Sequence, residues 1–132
     1  MSLGLDTSVL VRLLIGEPAG LATKAKARLV EAHRLRQVVL VSDLVIAETY
    51  HALKHHYEIE PADIYRALHA MFTSGLAQPE SGSAVLAVLQ TKTTGKAGFI
   101  DRLIQARYEA DGVTTLTLDK AQAKIGRTEL IR

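Results

Sequence analysis

Four carboxylates in this sequence stand where a solvated surface charge is not the obvious reading. Asp6 closes the apolar run Leu3-Gly4-Leu5, and Asp119 closes Leu116-Thr117-Leu118, so each follows residues expected to be buried. Glu48 lies within Leu44-Val45-Ile46-Ala47-Glu48-Thr49-Tyr50, and Asp101 within Gly98-Phe99-Ile100-Asp101-Arg102-Leu103-Ile104. Both are flanked by apolar neighbours and are expected to be partly buried. An isolated buried carboxylate is costly, and several brought together repel one another unless a cation or shared protons relieve them. A divalent metal is the economical relief. Taken singly, each acid has an ordinary explanation. Asp6 or Asp119 can cap the helix that follows it. Asp101 can sit in the first turn of a helix, where the macrodipole favours negative charge. Glu48 can face solvent, or pair with Lys54 or a histidine. Only the set of four points to chemistry.

The histidines offer a different ligand set. Glu48, His51 and His55 fall at i, i+3 and i+7, one face of a helix, a spacing that can bind a transition metal. His-Glu-x-x-His is absent, and so is a second Glu-x-x-His segment of the kind a four-helix di-iron site uses. His51 and His55 are therefore read as solvent-facing or interface residues. Tyr50, Tyr57 and Tyr65 are candidates for stacking bases, although tyrosines at helical spacing more often serve as half-buried packing.

The elements that must position these residues alternate between strand-sized apolar runs and helical periodicity. Leu3 to Leu5 reads as a strand and Ser8 to Leu14 as a helix stopped by Gly16 and Pro18. Gly20 to Arg36 reads as an amphipathic helix with Leu21, Ala25, Leu29 and Val30 on its apolar stripe. Val38 to Val41 suits a strand buried on both faces, and Ser42 caps a helix from Asp43 to about His56. Pro61 and Asp63 open a helix that ends by Gly75, with Ile64, Leu68 and Met71 in its core stripe. A weak strand at Leu76 to Gln78, a helix at Ser83 to Gln90 and a polar stretch from Thr91 to Gly98, read as a loop, come next. A helix from Phe99 to Ala110 with its stop at Gly112, a strand from Val113 to Leu118, a short helix from Ala121 to Ile125 and an edge strand at Thr128 to Ile131 complete the chain. Strands separated by helices imply a three-layer α/β/α sandwich with a central parallel sheet. In such folds ligands bind beyond the carboxyl ends of the strands, the rim onto which Asp6 and Asp119 project.

At 132 residues the chain fits one domain, residues 1–132, without internal repeat or linker, and its 48% hydrophobic and 23% charged content is that of a globular protein. It has no cysteine, so disulfides, thiolate metal sites and thiol nucleophiles are excluded. No apolar run approaches the roughly 20 residues needed to span a bilayer, and no signal-peptide pattern opens the chain. A soluble cytoplasmic protein is the expectation. The net charge of +2 tolerates a polyanionic partner without demanding one.

The segment Leu5-Asp6-Thr7-Ser8-Val9-Leu10-Val11-Arg12-Leu13-Leu14 resembles the opening motif of VapC-type PIN domains. Val41-Ser42 followed by Ile46-Ala47-Glu48 resembles the family's second motif, Phe99-Ile100-Asp101-Arg102-Leu103-Ile104 the third, and Thr117-Leu118-Asp119-Lys120-Ala121 the fourth. Order and spacing agree over essentially the whole chain, and four motifs in order carry weight that none has singly. Ser8 stands where many members carry Asn, Gln105 and Arg107 occupy a helix usually richer in small residues, and Leu118 replaces a frequent Phe; no acid is lost.

The resemblance implies a metal-dependent endoribonuclease that is the toxin of a type II toxin–antitoxin pair. It implies that Asp6, Glu48, Asp101 and Asp119 form an acidic pocket holding one or two Mg²⁺ or Mn²⁺ ions. Asp6, Asp101 and Asp119 would be ligands, and Glu48 a ligand or the orienter of the attacking water. Ser8 and Thr117 would support the acids by hydrogen bonds. Arg12, Lys96, Arg102 and Lys120 lie beside the acidic motifs and would hold an RNA backbone without choosing its sequence. The implied partners are the RNA substrate, an antitoxin protein covering the site, a second copy in a homodimer, and operator DNA reached only through the antitoxin; no membrane is involved. Two other readings compete: a receiver-like phosphoacceptor domain, which would need paired acids that Asp6-Thr7-Ser8 does not supply, and a catalytically inactive PIN fold that only binds. Retention of all four acids favours the enzyme.

Overall fold

The computed structural model describes residues 2–90 and 98–132. It is an α/β fold in which a parallel sheet is flanked by helices, and the chain divides into two compact units, Met1–Glu80 and Ser81–Arg132.

The first unit runs β1 (Ser2–Gly4), α1 (Thr7–Ile15), α2 (Ala19–Arg34), β2 (Val38–Val41), α3 (Asp43–His55), α4 (Pro61–Thr73) and β3 (Gln78–Pro79). Its sheet has the order β1-β2-β3 with both pairs parallel. Parallel neighbours cannot be joined by a hairpin, so each pair is bridged by two helices, α1–α2 and α3–α4. The ladder continues past the strands: the Leu5 amide donates to the Leu40 carbonyl at 3.0 Å and the Glu80 amide to the Val41 carbonyl at 2.8 Å. Pro79 has no N–H to give, which suits its place on an edge strand. Leu10, Ile46, Leu53, Ile64, Leu68 and Val41 are fully buried and form the centre of this unit.

Three expectations about burial need correction. Val38 is 43% exposed and only Val39 and Val41 are buried, so β2 buries chiefly one face rather than two. In α2 the buried residues are Leu29 and Ala32, whereas Leu21 and Val30 are exposed. The inward stripe runs Ala22, Ala25, Leu29, Ala32 at helical spacing, small side chains that let α2 lie close to α1 and β2. In α4, Ile64 and Leu68 are buried as expected, Met71 is half-buried, and Tyr65 and Phe72 join the core.

The second unit runs α5 (Ser83–Gln90), α6 (Phe99–Ala110), β4 (Thr115–Thr117), a 3-10 turn (Gln122–Lys124) and β5 (Thr128–Leu130). β4 and β5 pair in parallel, Thr115 opposite Thr128 and Thr117 opposite Leu130. The expected edge strand is present, and the expected short helix is a single 3-10 turn. The strand parity is the reverse of the apolar reading: Thr115 and Thr117 are buried, while Leu116 and Leu118 are 61% and 78% exposed. Side chains alternate faces, so the threonine hydrogen bonds that hold Thr117 inward turn both leucines outward. Among the described residues, no helix is long and apolar enough to cross a membrane.

Helices α2 and α3 are each followed by a residue with left-handed backbone. Arg36 (φ 57°) and Glu58 (φ 54°) occupy the left-handed region, and the next residue's amide reaches back into the helix, Gln37 to the Ala32 carbonyl at 2.8 Å and Ile59 to the Leu53 carbonyl at 2.9 Å. Glycine is the usual occupant of this cap because a Cβ is strained there. Replacing Glu58 or Arg36 by glycine is expected to raise unfolding stability by about 0.5–1 kcal/mol each, the strain relieved exceeding the added chain entropy. Urea denaturation with an unchanged slope checks it, and a loss of stability would refute the assignment.

Candidate functional site

The backbone delivers Asp6 to the rim of the first sheet. The bond from the Leu5 amide to the Leu40 carbonyl extends the β1–β2 pairing to the residue before it, and Asp6 then takes the N-cap position of α1 with extended backbone (φ −83°, ψ 159°). Its side chain makes no capping bond. Instead Asp6 Oδ2 accepts a hydrogen bond from the Ser8 hydroxyl at 2.9 Å. The helix-capping explanation therefore does not account for this carboxylate, whose other oxygen has no partner among the described residues. Ser42 plays the capping role for α3, its Oγ accepting from the Val45 amide at 3.2 Å.

Glu48 lies mid-helix in α3 and is exposed, not partly buried as its apolar neighbours suggest; the helix places Ile46, Thr49 and Tyr50 inward and Leu44, Glu48, His51 and His55 outward. It pairs with neither Lys54 nor a histidine among the described residues. Asp101 is half-buried in the first turn of α6, after the Gly98 N-cap, and has no hydrogen-bond or ion-pair partner among the described residues. Asp119 is exposed and makes the local bond expected of an aspartate after a strand, Oδ1 accepting from the Ala121 amide at 2.8 Å. Thr117 supports it through the backbone: its Oγ1 accepts from the Asp119 amide at 3.0 Å and donates to Gln122 Oε1 at 3.0 Å inside the second unit.

Asp6 and Glu48 thus belong to the first unit, Asp101 and Asp119 to the second. Within neither unit, among the described residues, do three Asp, Glu or His side chains gather into a group able to hold a metal. The donors nevertheless suit a hard cation. All four are carboxylates, none is neutralised by an ion pair among the described residues, and Mg²⁺ and Mn²⁺ prefer such oxygen ligands. Two residues that follow acids in the sequence carry buried hydroxyls that the motif pattern did not single out: Thr7 Oγ1, after Asp6, and Thr49 Oγ1, which turns inward where Glu48 turns outward. Neither has a hydrogen-bond partner among the described residues. A threonine following each acid is the only sequence signal for them. Glu80, also unremarked in the sequence, borders a cavity of about 260 Å³ that runs along β1 from Ser2 to Leu5 and reaches Leu40 and Ser42.

Of the basic candidates, Arg12 and Arg102 are half-buried, Lys120 is exposed, and Lys96 lies outside the described residues. The polar stretch Thr91 to Gly98 also lies outside them, except for Gly98. Tyr50 and Tyr65 are buried with ring centroids 6.2 Å apart, which makes them packing and not a stacking platform. Burial pushes the Tyr50 phenol above its ordinary range.

Comparison with known proteins gives one result. The profile of the family described as PIN domain matches residues 4–128, a span that takes in all four acids and runs through both units. No curated protein and no solved structure matches the chain.

Thr117→Val should cost about 1–3 kcal/mol of unfolding stability, because it strands the buried Gln122 amide and the Asp119 N–H while preserving side-chain volume. The exposed Thr114→Val is the control and should change little; equal effects in denaturant unfolding would show that Thr117 does not organise the Asp119 turn.

Proposed function

The chain belongs to the PIN-domain family, and on that premise we propose that it is a Mg²⁺- or Mn²⁺-dependent endoribonuclease, the toxin of a type II toxin–antitoxin pair. PIN domains are typically metal-dependent nucleases, which leaves the RNA substrate and the toxin role as this reading's own content. The observation that carries it is Asp6. It stands at a strand end in the N-cap position, yet its carboxylate caps no backbone N–H of the helix, and its one hydrogen bond among the described residues is accepted from the Ser8 hydroxyl in the first turn of α1. A carboxylate with one oxygen unpartnered among the described residues keeps lone pairs available for a ligand.

Asp6, Asp101 and Asp119 would hold the cation. When bound, the ion supplies an activated water and neutralises charge on the phosphodiester. Glu48, exposed and without a cationic partner among the described residues, would orient an attacking water and take its proton as the water oxygen bonds to phosphorus, one ester P–O bond breaks and the leaving oxygen takes a proton from solvent. Ser8 fixes the Asp6 rotamer, and Thr117 fixes the turn from which Asp119 projects. Arg12, Lys96, Arg102 and Lys120 would hold backbone phosphates, which gives affinity without base choice. The partners proposed with this role are a cognate antitoxin, a second copy of the chain, and operator DNA contacted only through the antitoxin.

Purified protein is expected to cut a panel of structured and single-stranded RNAs with Mg²⁺ or Mn²⁺ and to stop in EDTA. Asp6→Asn and Asp101→Asn should each lower the rate by about 100-fold or more, and Ser8→Ala by about tenfold, since it only loosens a ligand. Equal cutting by parent and Asp101→Asn protein, prepared alike, would expose a contaminating nuclease. RNA binding without cutting under any metal would favour a PIN fold that only binds.

A further inference from the structure

The outward face of α3 carries a second pair of metal-competent side chains that the carboxylate reading does not use. We propose that His51 and His55 form a two-nitrogen chelating site for one imidazole-preferring divalent cation, such as Ni²⁺, Cu²⁺ or Zn²⁺. Residues at i and i+4 lie one above the other on a helix, and the later side chain leans back over the earlier one. Here the two rings lie with centroids 4.5 Å apart and tilted by 44°. A cation bonded to one nitrogen of each ring at about 2.0–2.1 Å needs those nitrogens only about 3 Å apart, a gap that small ring rotations close.

Both side chains are free to make those rotations. His51 and His55 are exposed, and among the described residues neither makes a hydrogen bond or ion pair; each ring lies against the other. The pair sits in the last turns of α3, where the helix dipole favours a cation. Lys54, exposed in the same last turn, opposes it, while the exposed Glu48 lies on the same outward face one turn earlier. His56 is engaged elsewhere, its ring edge-on to Tyr57 at 4.9 Å. No third Asp, Glu or His joins the pair among the described residues, so the remaining coordination positions are left to solvent. Nitrogen donors separate this site in chemistry from the four carboxylates: imidazole suits late transition metals, carboxylate suits Mg²⁺ and Mn²⁺.

The test is calorimetric titration of Ni²⁺ and of Zn²⁺ into full-length protein freed of any histidine tag. Asp101→Asn serves as background, so that binding at the carboxylates is weakened while the helix is untouched. One ion per chain is expected. His51→Gln and His55→Gln should each weaken it by about tenfold or more, because the second nitrogen of a chelate binds at high effective concentration, while His56→Gln and His69→Gln leave it unchanged. The bound ion should also raise the melting temperature of the parent but not of the His51→Gln protein. Unaltered titration in both His51→Gln and His55→Gln, with circular dichroism showing α3 intact, would overturn the proposal. So would an affinity that follows His56 or His69 instead.

Discussion

Parallel pairing around β2 is the constraint from which the rest of the first unit follows. Three strands running the same way need crossovers, which is why two helices separate β1 from β2 and two more separate β2 from β3. Parallel strands also end together. The backbone bonds at Leu5 and Glu80 carry the ladder to the rim and leave Asp6, Ser42 and Glu80 there as each chain segment leaves the sheet. The strands are only two to four residues long, so a fixed register matters more than a long ladder, and the buried Val39, Val41, Leu10 and Ile46 fix it.

The same logic, in a smaller form, governs the second unit. Two short parallel strands pair through their backbones, and side-chain bonds that a purely apolar pattern overlooks set which face of β4 turns inward. Thr117 faces inward because its hydroxyl bridges the buried Gln122 amide and the Asp119 N–H, and burying those polar groups unpaired would cost more than exposing Leu116 and Leu118. Gln105, buried in α6, lies directly over Gly126, where its amide occupies the space a Cβ would take. Gln105 therefore has a packing partner in Gly126.

The four acids differ in how much of their charge the fold uses. Asp119 spends one oxygen on its own turn, Asp6 accepts a single hydroxyl, and Glu48 and Asp101 have no partner among the described residues. Structural carboxylates are ordinarily consumed by caps or ion pairs, as Glu31 is by Arg34, whose hydrogen bond holds the Glu31 carboxyl below its usual range. Carboxylates left without an ion pair among the described residues keep their oxygens available to a ligand.

The sequence by itself determined the order of elements, because periodicity and punctuation are local: Ser42 before α3, Pro61 at the start of α4 and Gly112 after α6 mark boundaries close to those observed. It also determined the four candidate acids and the family, since motif order survives without knowledge of packing. Which face of each element turns inward was decided only by tertiary structure. Leu21, Val30, Leu116 and Leu118 read as core by hydropathy, yet neighbouring alanines and threonines fill the inward positions, where small side chains allow close helix approach in α2 and the paired hydroxyl of Thr117 sets the face of β4. The exposure of Glu48, the bond from Ser8 to Asp6 and the meeting of the His51 and His55 rings belong to that second kind. Spacing brings such residues to one face of a turn or helix, but only the packed chain settles whether that face meets protein or water.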